Sequence, residues 1–157
     1  MRTNTKLLAV ALLLFAGITT TNAQQNNNSY INNKNNTTMT TQNEKTTAIL
    51  KAVELYAEAG RKASRTLGQQ AFTEGATMSW VENGKINTVP INALFDVLEQ
   101  TGAEEVTYTV EDITIAGNIA FVRISSTFSK LASFNDMFTL AEQDGEWKIV
   151  SKVYSVK

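Results

Sequence analysis

The chain of 157 residues contains no cysteine and no histidine, and it has a single proline. Without cysteine there can be no disulfide, no thiolate nucleophile and no thiolate metal ligand. Without histidine, a serine–histidine–aspartate triad and histidine-ligated zinc or iron sites are excluded as well. No glycine-rich phosphate loop is present either. We therefore expect no cofactor and no metal, with an oxygen-ligated cation as the one kind of metal site left open.

The chain also has no large excess of charge of either sign. The chain carries 14 basic and 15 acidic residues, a net charge of −1, and its basic side chains form no run or stripe. Nucleic-acid binding depends on clustered basic side chains that neutralise phosphates. We therefore do not expect nucleic acid as a partner.

Long apolar runs are absent except at the N-terminus. Residues 7–18 (LLAVALLLFAGI) follow the basic Arg2 and Lys6 and precede small residues that end at Ala23. This order is typical of a cleaved signal peptide, and the run is shorter than the roughly 20 residues of a membrane span. We predict that residues 1–23 are a signal peptide. The mature protein would then be secreted or periplasmic, without membrane contact.

Residues 24–44 consist mainly of asparagine, glutamine and threonine. Such a segment has too little apolar surface to offset the entropy lost on ordering. The composition predicts a disordered tether, followed by one folded domain over residues 45–157.

The folded domain opens with a helical pattern. From Thr46 onward, apolar residues recur at three- and four-residue spacing until Gly60 and the basic pair that follows it. This periodicity predicts an amphipathic helix. A second, shorter helix is predicted over residues 64–72.

The pattern then changes to strands. Two short strands flank Asn83-Gly84, which is the strongest short hairpin signal. Pro90 stands where a third helix is predicted to begin, and Gly102 is predicted to end it.

Three long extended segments follow, at residues 105–115, 119–128 and 134–154, the last being a hairpin about Asp144-Gly145. The apolar residues of the first segment change parity halfway. A bulge near Glu111-Asp112 would bring the apolar residues on both sides of it to one face of the sheet. These residues are Val106, Tyr108, Val110, Ile113 and Ile115. Helices packed on such a sheet predict an α+β domain.

Four segments carry a family resemblance: AVELYAEAG, AFTEGATMSW, INALFDVLEQ and FNDMFTLAEQDGEWKIVSKVYS. They resemble the nuclear transport factor 2-like superfamily, and within it the lumazine-binding group and the relatives of polyketide cyclases. The resemblance covers residues 45–157. It implies a cone-shaped fold in which N-terminal helices pack on a strongly bent antiparallel sheet around an apolar pocket. Because the superfamily includes enzymes, binding modules and association domains, the fold does not decide the function.

Two polar residues are expected to face the apolar interior. Tyr56 lies on the apolar stripe of the first helix, and Asp136 shares strand parity with Phe134 and Phe138. If the preceding turn is symmetric, Ser126 lies opposite Asp136. A buried carboxyl group can be neutral and donate a hydrogen bond. Alternatively, Tyr56 is a core or pocket-lining tyrosine, and Asp136 is a buried carboxyl group satisfied by Ser126, Tyr56 or a backbone amide.

In sequence position, Tyr56 and Asp136 resemble the oxyanion-hole pair of ketosteroid isomerases. That resemblance makes them the candidate catalytic residues. The general-base aspartate of those enzymes is replaced here by Trp80, which cannot accept a proton, and only Glu74 or Glu82 lies nearby. An enzyme is therefore the less favoured interpretation.

Three hypotheses follow. The first is a secreted domain that binds a small apolar or aromatic molecule through pocket residues, for which the candidates are Tyr56, Trp80, Phe95, Tyr108 and Asp136. The second is an isomerase, dehydratase or cyclase that uses Asp136 and Tyr56. The third is an association module that forms a homodimer through the open face of the sheet, for which the candidates are Phe121, Arg123, Ser125, Thr127, Met137 and Thr139.

Overall fold

The structure, a computed structural model, describes residues 28–157. The predicted signal peptide and the start of the predicted tether lie outside the described residues. Helices and strands follow in the order α1 (Asn28–Lys62), α2 (Arg65–Ala71), β1 (Phe72–Glu82), β2 (Lys85–Pro90), α3 (Asn92–Thr101), β3 (Val106–Ala116), β4 (Ile119–Phe128), β5 (Ser133–Gln143) and β6 (Glu146–Val156). None of the helices described is long and apolar enough to cross a membrane.

Helix α1 begins at Asn28, earlier than the sequence predicts, so residues 28–44 are helical where a disordered tether was expected. Residues 41–44 are exposed, and burial begins at Ile49. Once the packed part of a helix is formed, each further residue adds a hydrogen bond at little nucleation cost. The extension therefore depends on the packed half of α1, where Ile49, Val53 and Tyr56 are buried as the periodicity predicts.

The predicted hairpin and third helix are confirmed. Strands β1 and β2 pair antiparallel about Asn83-Gly84, both of which have the positive φ angles (51° and 73°) that a type I′ turn requires. Helix α3 ends at Gly102, whose N–H donates to the carbonyl oxygen of Leu98. The positive φ of Gly102 suits a glycine at this position.

Strands β3 to β6 form the long meander that the sequence predicts. The bulge in β3 is confirmed, because the β3–β4 register shifts between Val110 and Asp112. As a result, the apolar residues on both sides of the bulge pack against the same core. A second register shift lies between β5 and β6, next to Leu140.

The six strands form one open sheet in the order β2-β1-β6-β5-β4-β3. The sheet is mixed because β1 runs parallel to β6. The resemblance implied an antiparallel sheet. These two strands are separated by most of the domain. No tight turn joins them, so hairpin geometry does not set their relative direction.

The core lies between the helices and one face of this sheet. Helix α1 contacts β3 and β6, and its Tyr56 ring packs edge-on against Phe138. The opposite face of the sheet is open, and Phe121, Met137 and Val153 are exposed there. The domain therefore has the predicted α+β architecture, with one covered and one uncovered sheet face.

Candidate functional site

An apolar cavity of about 160 Å³ lies at the edge of the core. Leu94 and Val97 of α3 line it, together with the aromatic rings of Phe134 in β5 and Tyr154 in β6. Val97 and Leu131 are partly exposed and form its rim. The complete lining is Tyr56, Met78, Leu94, Val97, Phe128, Leu131, Phe134, Lys152 and Tyr154.

A buried polar cluster adjoins this cavity. Asp136 is completely buried and accepts hydrogen bonds from Lys152 Nζ at 2.5 Å, from Ser126 Oγ at 2.6 Å and from Tyr56 OH at 3.3 Å. An ionised carboxylate is an acceptor only. Asp136 therefore has three hydrogen-bond partners, Lys152, Ser126 and Tyr56.

Lys152 is the charged residue of the cluster that lines the cavity. Its side chain is 3% exposed, and its Nζ lies 4.1 Å from the ring centroid of Tyr154, with the Phe134 and Tyr56 rings at 5.6 and 5.7 Å. Burial lowers the pKa of the Lys152 ammonium, and the neighbouring Asp136 acts in the opposite direction. Within the described part of the chain, Asp136 is the only hydrogen-bond acceptor of this ammonium.

Tyr56 joins the cluster to the cavity. It is buried on α1, its hydroxyl donates to Asp136, and its ring contacts Phe72, Phe128 and Phe138. Burial, and next the negative charge of Asp136, raises the pKa of the hydroxyl well above its ordinary value. The hydroxyl is therefore a hydrogen-bond donor throughout the neutral range.

The prediction that Ser126 meets Asp136 is confirmed, but the predicted register is wrong. Asp136 lies directly opposite Ile124, and Ser126 lies opposite Phe134. The turn between β4 and β5 is shifted by one position, because Thr127 pairs with Ser133. Ser126 reaches Asp136 diagonally across the two strands, within the range that neighbouring cross-strand side chains span.

Trp80 does not line the cavity. Its half-buried ring stacks on Tyr154, with centroids 5.8 Å apart and an interplanar angle of 28°. Tyr154 itself forms part of the cavity wall. Trp80 thus supports the wall from behind.

Phe95 and Tyr108 lie elsewhere. Phe95 packs against Gly68 of α2, where any side chain would collide with its ring, and it lines a different cleft. Tyr108 lies where β3 meets α1 and donates to Glu54 at 2.7 Å. Of the five predicted ligand-binding residues, only Tyr56 therefore lines the cavity, and Asp136 is hydrogen-bonded to it without lining the cavity itself. Binding by all five stays a prediction.

Sequence reasoning assigned no role to Lys152. The alternation of Trp147 and Ile149 in β6 predicts an outward Lys152, but the register shift leaves Val150 unpaired and reverses the parity. Lys152 consequently lies on the same face as Asp136. The available signal was the buried Asp136 itself, because a buried carboxylate requires a partner.

The residues around the cavity limit its chemistry. Among the described residues that line it there is no carboxylate, and both Glu74 and Glu82 are exposed. Nor does the described part of the chain contain a group of carboxylates that could hold a metal ion. The cavity therefore offers apolar and aromatic surface, one ammonium group and tyrosine hydroxyl groups.

Comparison with known proteins identifies relatives of this chain. The sequence model of the family described as "Putative lumazine-binding" matches residues 44–155. No match was found among curated proteins.

Solved structures agree with this family match. A nuclear transport factor 2 (NTF2)-like protein of unknown function from Shewanella baltica is 32% identical with a TM-score of 0.67, and the match covers 72% of this chain and 94% of that one. An NTF2-like protein from Methylobacillus flagellatus is 27% identical with a TM-score of 0.65, over 72% and 92% of the two chains. A putative ketosteroid isomerase from Shewanella frigidimarina is 21% identical with a TM-score of 0.52, over 69% and 94%. At that identity the likeness concerns the fold alone.

Proposed function

Because the chain belongs to the putative lumazine-binding family of NTF2-like domains, we propose that it binds a small, mainly apolar or aromatic molecule in the cavity beside Lys152. The observation that carries the proposal is a buried ammonium group among the aromatic walls of a cavity that opens at a partly exposed rim. Small-molecule sites combine apolar walls with a few placed polar groups in this way.

The walls favour a flat, apolar ligand. Phe134 and Tyr154 stand nearly perpendicular, with their ring centroids 5.6 Å apart, and Leu94 and Val97 of α3 also line the cavity. Aromatic and aliphatic surface of this kind gains contact area from an inserted ring. The ligand class is therefore a small aromatic or apolar molecule.

The polar group at the wall favours a ligand with a hydrogen-bond acceptor. The Lys152 ammonium carries three N–H groups, and within the described residues one of them has an acceptor, Asp136. A carbonyl or phenolic oxygen, or a ring nitrogen, would supply a further acceptor. Asp136 supports the site by holding Lys152 and does not itself line the cavity.

We also propose that the domain acts in the periplasm or outside the cell. A signal peptide over residues 1–23 would deliver the domain to the periplasm or the exterior, where the ligand would be encountered.

The isomerase alternative finds less support. Asp136 accepts three hydrogen bonds and none of the described lining residues is a carboxylate that could take up a proton. The place expected for the base holds Trp80, which stacks on Tyr154. The described lining residues therefore supply no carboxylate base, and the Tyr56 hydroxyl already donates to Asp136.

The open face of the sheet supports a second function, the homodimer. Met137 is 56% exposed and pairs across the sheet with Val153, which is 49% exposed, and Phe121 on β4 is 48% exposed. Exposed apolar residues that share one sheet face are typical of an interaction surface. This function is compatible with ligand binding, because the cavity lies on the opposite face.

Native mass spectrometry of the protein purified from its own host tests the ligand proposal. We expect an extra mass that is lost on denaturation. A Val97→Trp variant, which narrows the rim, should lack it, and a Val153→Trp variant on the open face should retain it. A bare mass in the wild-type protein, as monomer or dimer, would contradict ligand binding and leave the association module as the favoured function.

A further inference from the structure

Among the lysines whose side chains the structure describes, Lys152 alone is buried. Its Nζ lies 2.5 Å from the Asp136 carboxylate and within 6 Å of the ring centroids of Tyr56, Phe134 and Tyr154. All three rings line the cavity. The amine is therefore held where a small molecule in the cavity would meet it.

This environment is the one that makes a lysine nucleophilic. An ammonium group in an apolar pocket loses hydration, which favours the neutral amine, and the neutral amine is the form that attacks a carbonyl carbon. A proton acceptor is already in contact, since the Asp136 carboxylate can take one proton from the ammonium. Ser126 and Tyr56 donate to the same carboxylate and fix its position.

We propose that Lys152 forms a reversible Schiff base with an aldehyde or ketone held in the cavity. This inference rests on the proposed function, because it requires the cavity to admit a small molecule. It also narrows the ligand class from apolar molecules in general to small carbonyl compounds.

The reaction balances without a further reactant. The ammonium passes a proton to Asp136, and the neutral amine adds its lone pair to the carbonyl carbon, forming the C–N bond and moving the C=O π electrons to oxygen. The carbinolamine oxygen takes one proton from nitrogen and one from Asp136 and leaves as water. Ammonium and carbonyl thus give iminium and water, with no oxidation or reduction.

The buried charges favour the product as well as the reactant. The iminium carries the same single positive charge as the ammonium, and its remaining N–H can donate to the regenerated Asp136 carboxylate. Because a buried charge without a partner is costly, a reaction that conserves the ion pair avoids the main electrostatic penalty of chemistry in this core.

Reductive trapping tests the proposal. The full chain is incubated at neutral pH with butanal or benzaldehyde and sodium cyanoborohydride, which reduces an imine to a stable secondary amine, and the modified lysines are mapped by peptide mass spectrometry. The exposed Lys51 and Lys85 serve as internal controls in every sample. Benzyl alcohol, which lacks the carbonyl group, is added as a competitor that can occupy the cavity without reacting.

The expected result is modification of Lys152 that saturates with aldehyde concentration and is reduced by benzyl alcohol, while modification of Lys51 and Lys85 rises in proportion to concentration. Val97→Trp should lose the Lys152 adduct, and Val153→Trp should keep it. Modification of Lys51 and Lys85 with Lys152 unmodified would overturn the proposal.

A second measurement separates this proposal from the one it rests on. Binding of benzyl alcohol is followed by the methyl resonance of Met78, which lies in the cavity wall. If that resonance shifts while Lys152 stays unmodified, the cavity binds ligands and only the Schiff base is wrong. If neither occurs, both are wrong.

Discussion

The molecule contains two groups of ion pairs with opposite surroundings. In the core, Lys152 and Asp136 are 3% and 0% exposed and lie 2.5 Å apart. On the surface between α2 and α3, Arg65 contacts Asp96 and Glu99 at 2.5 and 2.8 Å, and these side chains are 31%, 59% and 45% exposed. Similar distances thus occur in very different environments.

The comparison shows that the distance between two charged groups does not by itself determine how much their ion pair contributes to stability. Water around Arg65 replaces a lost partner, so an exposed pair contributes little net stability. Lys152 and Asp136 are almost completely buried, so removal of one partner leaves a buried charge without its counterion. We therefore expect the buried pair to matter both for the stability of the fold and for the candidate site, because Lys152 also lines the cavity.

The largest effect should come from unpairing the buried charge. Asp136→Asn keeps the shape of the side chain but leaves the Lys152 ammonium without its counterion. We expect a loss of about 3–5 kcal/mol in the free energy of unfolding, measured by chemical denaturation. The matched control is the double variant Asp136→Leu, Lys152→Met, which removes both charges and should recover most of that loss. A double variant as unstable as the single one would show that the charge is not the cause.

A smaller effect is expected from the other two donors to Asp136. Ser126→Ala removes the 2.6 Å hydrogen bond and should cost about 1–3 kcal/mol, whereas Tyr56→Phe removes the 3.3 Å bond and should cost about 1 kcal/mol. Denaturation midpoints of the two variants give the comparison directly. The reverse order would indicate that the Tyr56 hydroxyl, not Ser126, holds the carboxylate.

Alkaline pH tests a third polar contact, the hydrogen bond between Tyr108 and Glu54. Tyr108 donates to Glu54 near the surface, where burial and then this hydrogen bond raise the pKa of its hydroxyl to about 12 from 10.0. A raised folded-state pKa gives stability that is complete below the unfolded value and is lost as pH rises through the folded one. The protein should therefore lose stability between about pH 10 and 12, and Tyr108→Phe should make that decline shallower. An unchanged decline in thermal melts across this range would contradict the assignment.

Arg65 should give the smallest effect. Arg65→Met removes its contacts with Asp96 and Glu99 while keeping the apolar stem over Phe95. We expect only a slight fall in the melting temperature, which added salt should reduce further because exposed pairs are screened. A loss comparable with that of Asp136→Asn would remove the distinction between the two ion-pair groups.

Most of the fold is readable from local sequence signals. Asn83-Gly84 predicts the hairpin because both residues tolerate the positive φ that the turn needs, and the parity change in β3 predicts its bulge. The parallel pairing of β1 with β6 is not readable, since it depends on contacts between distant segments. The helical residues 28–44 likewise follow from the packed half of α1 and not from their own composition.

Only part of the candidate site can be predicted from the sequence, because the rest also depends on contacts between distant segments. Asp136 is predicted to face inward because β5 alternates regularly from Phe134 to Phe138. Lys152 is missed because one unpaired residue in β6 reverses the parity, and no turn or glycine marks that position. The cavity wall at α3 depends on how Leu94 and Val97 meet β1 and β6, which periodicity within one element cannot reveal.

The most direct test of ligand binding in the cavity uses the methionine methyl groups, of which the chain has four. Met78 lies in the cavity wall and Met137 lies on the open sheet face. On titration of the full chain with benzyl alcohol, we predict that the methyl resonance of Met78 shifts and saturates while that of Met137 stays in place. A shift of Met137 alone, or of neither, would contradict a ligand site in the cavity.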